Sequence, residues 1–579
     1  MKFNVKIDPH QDVSAFLKKG YTREFALYAI SKGMDSPEKV NAFCNTKLSA
    51  LRKVAYMKDA NAFVSRLMKA IKAKEHIVIY GDYDVDGIMA SYIVSRSVRH
   101  IAPDVDIQIF INNRFSEGYG MNVAGMKRLT ETYPDTELII TVDNGINATD
   151  GIRFALDHGM DVIVSDHHEQ SGATKLVKGV PCVCEKRLDE DVSARQEMCG
   201  AELARGLMNL LYYRMGLQDE NKSFLSSLFA YSGMATITDI VPLNAANHKV
   251  AHQALRLMEK DDAELFWKVM KEKCDVHRYS ETTFGFTYGP RINAPGRVTG
   301  TVNAALNALF AAESGDGARC EEAIDELNAI NAKRQDWSDQ DEKLALEMIE
   351  QNGYGNDKFI VLADERFREG INGLTAGRVQ KRFKVPAIVL CPTEKDPEVY
   401  KGSARSIDGF NIFEALEECR DLLVTCGGHA QAAGLSVKKG KIDDLRKRLG
   451  EIAQQQIGEQ DMESEDVDFV MNACEPSIKM IKDFMKLEPY GAEMEKPRFG
   501  FEGIYRFHDS RKGRHAILHV ANPDGRGEIK VPAWNKLEEI NALGLKDGDH
   551  IRFVGTPEIN VYKDTESVQI VADEISKVD

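Results

Sequence analysis

Apolar residues fall along this chain in two alternating rhythms, short unbroken runs and longer stretches with helical spacing. Between about residues 56 and 260 the runs are His76-Ile77-Val78-Ile79-Tyr80, Val105 to Ile111, Leu138-Ile139-Ile140-Thr141-Val142 and Val162-Ile163-Val164. Amphipathic stretches such as Ile88 to His100 and Gly151 to His158 separate them. That alternation predicts βαβ units, a parallel sheet covered by helices. Residues 1–55 read as short helices. Residues 315–352, rich in Glu, Asp, Lys and Ala and closed by Gly353, read as a solvated helix connecting two lobes. The α/β rhythm restarts near residue 357 with Phe359 to Leu362, Ala387 to Leu390 and a helix near Ile412 to Leu422.

Beyond about residue 465 the pattern changes to short strands separated by Gly, Asp and Asn turns. They are Phe499-Gly500-Phe501, His515 to Val520, Glu528 to Pro532, His550 to Val554 and Ser567 to Val571, which suggests a small OB-like β-barrel. The expected fold class is therefore α/β, two such domains joined by a long helix, plus a C-terminal barrel. The expected boundaries are a helical extension at 1–55, a first domain at 56–314, the connecting helix at 315–352, a second domain at 353–462 and the barrel at 463–579.

Composition narrows the setting. A chain of 579 residues is too long for one core. With 43% hydrophobic and 28% charged residues it reads as a soluble globular protein. No apolar run reaches the length of about 18 residues that a membrane span needs. The start MKFNVKIDPHQDVSAF lacks the basic-then-apolar order of a signal peptide, and the ten cysteines are scattered, so a cytoplasmic setting with reduced thiols is expected. A net charge of −15 argues weakly against a nucleic-acid partner. Local Lys and Arg along the phosphate path settle that question, not the global sum.

The candidate chemistry sits just after the strands, where open α/β sheets bind ligands. Asp82, Asp84 and Asp86 alternate in Gly81-Asp82-Tyr83-Asp84-Val85-Asp86-Gly87. Three unpaired carboxylates at that spacing repel one another, and a divalent cation relieves the cost. An EF-hand loop is excluded, because the bidentate Glu that belongs at its twelfth position is missing. Asp143 in Asp143-Asn144-Gly145 follows a second strand, and Asp166-His167-His168-Glu169 a third, with acids able to orient the imidazoles. Asp239 is an isolated carboxylate in an apolar stretch and needs a cation or a base as partner. Together these groups suit two Mn²⁺ or Mg²⁺ ions rather than structural zinc, and two such ions about 3.5–4 Å apart are suited to phosphoester hydrolysis. Cys182-x-Cys184 has no second pair nearby and reads as structural.

Other segments offer anion-binding groups: Arg114 with aromatic neighbours, then Arg291, Asn293 and Arg297 in Pro290 to Arg297, and Ser403 and Arg405 in Gly402 to Ser406. Gly427, Gly428 and His429 belong to a Gly-rich turn that could open a helix with free N–H groups facing an anion.

These motifs, GDYDVDG, TVDNGI, DHHE and TDIVPL in that order, resemble the DHH phosphoesterase superfamily. GSARS and CGGHAQAAG resemble its DHH-associated domain, and NRFSEGYG and PRINAPGR resemble the RecJ branch of single-strand-specific exonucleases. The resemblance implies a parallel-sheet DHH domain, an α/β DHH-associated domain and an OB domain. It also implies a 5′-to-3′ exonuclease that degrades single-stranded DNA to 5′-mononucleotides in DNA repair and recombination. Asp82, Asp84, Asp86, Asp143, His167 and Asp239 would hold two Mn²⁺ or Mg²⁺ ions, with Asp143 bridging. His168 would stand beside the scissile phosphate, with Asp166 orienting the histidines. Arg114, Arg291, Asn293, Arg297, Ser403, Arg405, Gly427, Gly428 and His429 would hold the strand. A helicase and a single-strand-binding protein would be partners, and the enzyme a monomer.

The chain departs from the family pattern at Val183-Cys184-Glu185-Lys186, where an Asn-Pro step is usual, at Ala246-Asn247-His248 and at Arg368-Glu369-Gly370. Asp82 stands where many superfamily members place a histidine. Basic patches at Arg378 to Lys384 and Arg511 to His515 are further DNA-binding candidates. A phosphodiesterase acting on short oligonucleotides or cyclic dinucleotides is the alternative enzyme. A non-catalytic scaffold is the third reading, and the intact carboxylate set argues against it.

Overall fold

Four apolar runs become β1 (Ile77–Gly81), β2 (Ile107–Ile111), β3 (Leu138–Val142) and β4 (Asp161–Ser165), and short β5 (Cys182–Val183) completes a parallel sheet in the order β2-β1-β3-β4-β5. The computed structural model describes residues 1–393, 395–457, 464–563 and 565–578. β1 and β3 are buried at every position because helices cover both faces. On one face lie α1 (Val85–Ile101), α4 (Gly200–Arg214) and α5 (Phe229–Thr238). On the other, Met126 and Leu129 of α2 (Val123–Thr132) and Ile152 and Ala155 of α3 (Thr149–Asp157) share a core with Val78, Ile139 and Val162.

After α6 (Gly289–Val298), the helix α7 (Gly317–Asn352) runs for 36 residues. Asp316 caps its start by accepting from the Arg319 N–H, and Gly353 ends it in the left-handed conformation. Its bare polar composition hides a stripe buried along its length, so it is a packed strut rather than a solvated face.

The second lobe has five strands in the order β9-β10-β8-β7-β6: β6 (Ile360–Ala363), β7 (Ala387–Pro392), β8 (Val399–Arg405), β9 (Leu423–His429) and β10 (Ala432–Lys438). Only β6 and β7 pair in parallel. α8 (Asn372–Phe383) and α9 (Ile442–Gln456) complete it. The Gly-rich segment does not open a helix as expected. Gly427 pairs with Gly434, Gly428 with Ala433 and His429 with Ala432 across an antiparallel hairpin. Ala433, Leu435 and Val437 alternate into the core, a period of two that selects a strand.

Contacts divide the chain into two units. One holds both lobes and α7. The other combines Met1–Leu51, Ile240–His252 and the C-terminal stretch. Its N-terminal residues are not helical throughout, since Lys2–Val5 is a strand pairing in parallel with Ser464–Val467. Its main sheet runs in the order Ile529–Ala533, His515–Ala521, Phe499–Arg511, His550–Tyr562, Thr565–Lys577, and Phe469–Asn472 adds a strand beside Phe499. Several strands are longer than the sequence pattern suggests, because polar residues continue the pairing after the apolar alternation fades. No helix of the described residues is long and apolar enough to cross a membrane.

Candidate active site

The carboxyl ends of β1, β3 and β4 deliver the acidic groups to one place. After β1 the chain turns at once into α1. The Asp84 side chain accepts from the Gly87 N–H at 3.1 Å as its cap, and Asp86 lies in the first turn. A Cβ on Gly87 would lie 2.5 Å from the Asp82 carbonyl oxygen, so only glycine lets the turn fold back this tightly. Asp86 accepts from the Gly200 and Ala201 N–H groups at 2.6 and 2.8 Å, seated on the N-terminus of α4. Gly200 is needed there too, because a Cβ would come within 2.8 Å of the Asp143 Cβ.

Asp143 follows β3 with φ +59°, a left-handed position, and Asn144 braces it. The Asn144 amide donates to the Tyr80 and Val142 carbonyls at 3.0 and 2.9 Å and accepts from the Met121 N–H at 3.2 Å. After β4, Asp166 Oδ1 accepts from His168 Nδ1 at 2.8 Å and from the His167 and His168 N–H groups at 2.7 and 3.1 Å. Its Oδ2 accepts from the Ile146 N–H at 2.9 Å. Burial would raise the Asp166 pKa, but these bonds and both imidazoles hold it at about 2. Burial would likewise lower His168, yet Asp166, with Asp239 and Asp82, raises it to about 9.

His167 Nε2 lies 3.0 Å from Asp143 Oδ1 and 3.5 Å from both Asp86 Oδ2 and Asp239 Oδ2. Neither His167 Nε2 nor Asp143 Oδ1 has a hydrogen-bond partner, although both are buried. Orphaned donor atoms facing one another in this way fit a metal ion. Ligand atoms lie within 4.8 Å of one another in three groups: Asp143 with His167 and His168, Asp86 with His167 and Asp239, and Asp82 with Asp84 and Asp143. Burial first, and then mutual repulsion, push Asp82, Asp143 and Asp239 well above the usual carboxylate range and raise Asp84. The oxygen-rich set with one buried imidazole fits two divalent cations.

Beside the carboxylates stands a group of guanidiniums. The Arg114 guanidinium lies 4.9 Å from the Tyr83 ring centroid, and the Arg114 backbone N–H donates to the Gly300 carbonyl at 2.9 Å. Burial first, then Arg114, Arg405 and Arg334, push Arg297 below the usual arginine range, while Asp84 acts in the opposite sense. From the second lobe, Ser403 and Arg405 reach Gly373 in the first turn of α8. His429, on the hairpin tip, lines a cavity of about 620 Å³ with Tyr119, Asp166, His168 and Glu169 of the first lobe. Gly427 and Gly428 supply the pairing that carries His429 there.

Two of the expected strand-holding residues have other partners. Arg291 donates through Nε to Asn328 at 2.7 Å and through Nη1 to the Thr287 carbonyl at 2.6 Å, tying α6 to α7. Asn293 accepts from the Val85 N–H at 3.0 Å. In the Arg378 to Lys384 patch, Arg378 is neutralised by Asp339 at 2.9 Å and Glu342 at 2.6 Å.

Sequence reasoning missed two further features. The Tyr119 hydroxyl lies 3.3 Å from both His168 ring nitrogens. Glu185, where the family usually has an Asn-Pro step, is buried, accepts from the Gln196 and Met198 N–H groups at 2.9 Å and pairs with Arg52 at 2.7 Å. In the other unit, Lys512, Gly513 and Arg514 form the tip between two strands, and Phe507 stacks on His519 at 4.1 Å.

Residues 76–233 match the N-terminal domain of the DHH family, residues 356–455 the DHHA1 domain and residues 467–574 the RecJ OB domain. The chain belongs to the RecJ branch of the DHH phosphoesterase superfamily. It is 31% identical over 550 residues to the single-stranded-DNA-specific exonuclease RecJ of Bacillus subtilis, covering 94% of this chain and 66% of that protein. With the Escherichia coli RecJ it shares 26% over 532 residues, 88% of this chain and 89% of the relative. The crystal structure of the Thermus thermophilus RecJ in complex with Mn²⁺ superposes with a TM-score of 0.79 at 22% identity, covering all of this chain and 80% of that one. A manganese-bound exonuclease RecJ structure matches at TM-score 0.58 and 26% identity, covering 69% of this chain and 95% of that one. The α/β lobes and the OB domain are thus those of the RecJ branch.

Proposed function

We propose that this RecJ-branch protein is a Mn²⁺- or Mg²⁺-dependent exonuclease that degrades single-stranded DNA from the 5′ end to 5′-mononucleotides. The observation that carries the reading is the pairing of two unneutralised clusters. Carboxylates that need cations lie beside guanidiniums that need anions, with Asp84 and Arg297 in electrostatic reach of one another. A phosphodiester, with a reacting phosphorus and further phosphates along one strand, satisfies both.

In this reading Asp82, Asp84, Asp86, Asp143, His167 and Asp239 hold the two cations. When bound, the cations supply activation of water and neutralisation of charge at the phosphoryl group. The protein supplies the rest. Arg114, Arg297 and Arg405, with Ser403, fix the phosphates on either side of the reacting one. The Asp166 bond to His168 Nδ1 turns the other ring nitrogen outward, where it donates to a phosphoryl oxygen as negative charge develops. The phenol of Tyr119 is kept protonated by burial and by Asp82, Asp166, Asp143 and Asp84, so its O–H is available as a donor at the same face. Asn293, Asn144 and the α4 N-terminus hold the carboxylates in place through backbone bonds.

A cytoplasmic monomer acting in DNA repair and recombination, supplied with strands by a helicase and a single-strand-binding protein, completes the proposal. The test is degradation of 5′-labelled and 3′-labelled single strands with Mn²⁺. Stepwise mononucleotide release from the 5′ end, with duplex resistant, is the expected result. Activity confined to very short oligonucleotides or cyclic dinucleotides would replace this substrate class with the alternative one.

A further inference from the structure

The buried stripe of α7 changes its chemistry half-way along. Cys320, Ala323, Ile324 and Leu327 are apolar at one end, and Leu344, Ala345 and Ile349 at the other. Between them the buried side chains are Asn331, Ser338 and Asp341. From Asn328, which binds Arg291 of α6, to Asp341, which binds Arg368 ahead of α8, the helix rises about 20 Å. This polar middle therefore runs between the two lobes.

Arginines converge on it, and most have their charge or their hydrogen bonds met. Arg368 pairs with Asp341, Arg378 with Asp339 and Glu342, and Arg291 is bonded to Asn328 and the Thr287 carbonyl. Arg334 differs. Its Nη2 donates at 2.7 Å to the neutral side-chain oxygen of Asn331, and no carboxylate among the described residues forms an ion pair with it. It is half-buried, Arg378 and Arg291 repel it, Asp339 attracts it while forming its ion pair with Arg378, and it in turn acts on Arg297. A guanidinium partly withdrawn from water, with more like charge than opposite charge near it and no ion pair of its own, is costly unless an anion sits against it. Arginine's fork suits a phosphate in that place.

We propose that Arg334 on the connecting helix is a phosphate-binding residue for the DNA strand, extending the row Arg114, Arg405 and Arg297 along the floor between the lobes. The inference rests on the nuclease reading for its substrate. Its function is grip rather than chemistry, since it stands on the connecting helix while the grouped ligand residues all belong to the first lobe.

Arg334→Gln and Arg334→Lys are compared with the wild-type chain in two measurements. In the first, binding of a fluorescent single-stranded oligodeoxynucleotide is followed against salt with divalent cations withheld. Arg334→Gln is expected to reduce the slope of log K against log salt by about 0.7, the loss of one single-strand phosphate contact, and Arg334→Lys to restore it. In the second, degradation with Mn²⁺ is expected to show KM raised about tenfold in Arg334→Gln with kcat within about twofold. Equal loss on 5′-phosphorylated and 5′-hydroxyl strands assigns Arg334 to an internal phosphodiester, and loss confined to the phosphorylated strand assigns it to the terminal phosphate. An unchanged salt slope and KM in Arg334→Gln overturns the inference. A wild-type chain that binds strands without cutting them overturns the nuclease reading instead, and leaves the salt slope to judge Arg334.

Discussion

The side-chain oxygen of Asn293 accepts a hydrogen bond from the backbone N–H of Val85 at 3.0 Å, across 208 positions of sequence. Val85 is the first residue of α1, so this bond fixes the helix start that carries Asp84 and Asp86. Asn293→Ala leaves that N–H unpaired and lets the turn drift, at a cost of about 1–2 kcal/mol in stability. The expected outcome is weaker Mn²⁺ binding by calorimetry with little change in single-strand affinity. The reverse pattern would return Asn293 to the strand.

Asp143 sits among carboxylates that repel it, with one oxygen orphaned. Asp143→Asn is therefore expected to raise the thermal midpoint in EDTA by removing a buried like charge. The same variant should lose the stabilisation that Mn²⁺ gives the wild type, and should fall below detectable nuclease activity. A midpoint that drops in EDTA would show that the cluster is held together without cations.

Asp166 orients His168 through a side-chain bond at 2.8 Å and shapes the loop through three backbone bonds. Asp166→Asn keeps an acceptor but loses the charge and leaves the tautomer unfixed. A fall in kcat of about 10²-fold or more is expected, with a smaller change in KM. Rapid single-turnover measurements of mononucleotide release distinguish this from slower strand binding.

His248 is buried in the other unit, where its Nε2 meets the Leu487 carbonyl at 3.0 Å and Phe43 packs at 4.5 Å. Burial lowers its pKa to about 4. Between the unfolded value of about 6.5 and that folded value, the unfolded chain binds the extra proton, so stability falls as pH falls through this window. The full effect is on the order of 3 kcal/mol. His248→Gln, which keeps a donor for Leu487, should flatten the loss of thermal stability between pH 6.5 and 4, while above pH 7 the two proteins keep a constant offset. Parallel acid limbs would mean that His248 is protonated as easily folded as unfolded.

Much of this was legible because strand burial and metal chemistry both leave local marks. The runs before Asp82, Asp143 and Asp166 are unbroken because their strands are covered on both faces, and clustered acids announce a cation. What the sequence could not disclose is partnership across distance. Nothing in Pro290 to Arg297 says that Asn293 turns to Val85 while Arg297 faces the cluster, because the split follows from how one helix lies between two others. The Gly-rich segment misled for a related reason. Small residues permit both a helix start and tight strand pairing, and only the alternation beyond Ala432 separates them. The long helix looked solvated because it buries only ten of its 36 residues, three of them polar, a composition that averages to surface.

His429 reaches the cavity wall from a hairpin of the second lobe, while His168, which lines the same cavity, belongs to the first. On the proposed reading, reactivity and address are therefore written on separate modules. The first lobe can keep its cation-binding loops unchanged while the hairpin tip and the β8 strand with Ser403 and Arg405 are rewritten for another phosphate polymer. Such a division lets one hydrolytic centre be redirected to new cargo without rebuilding its most delicate part.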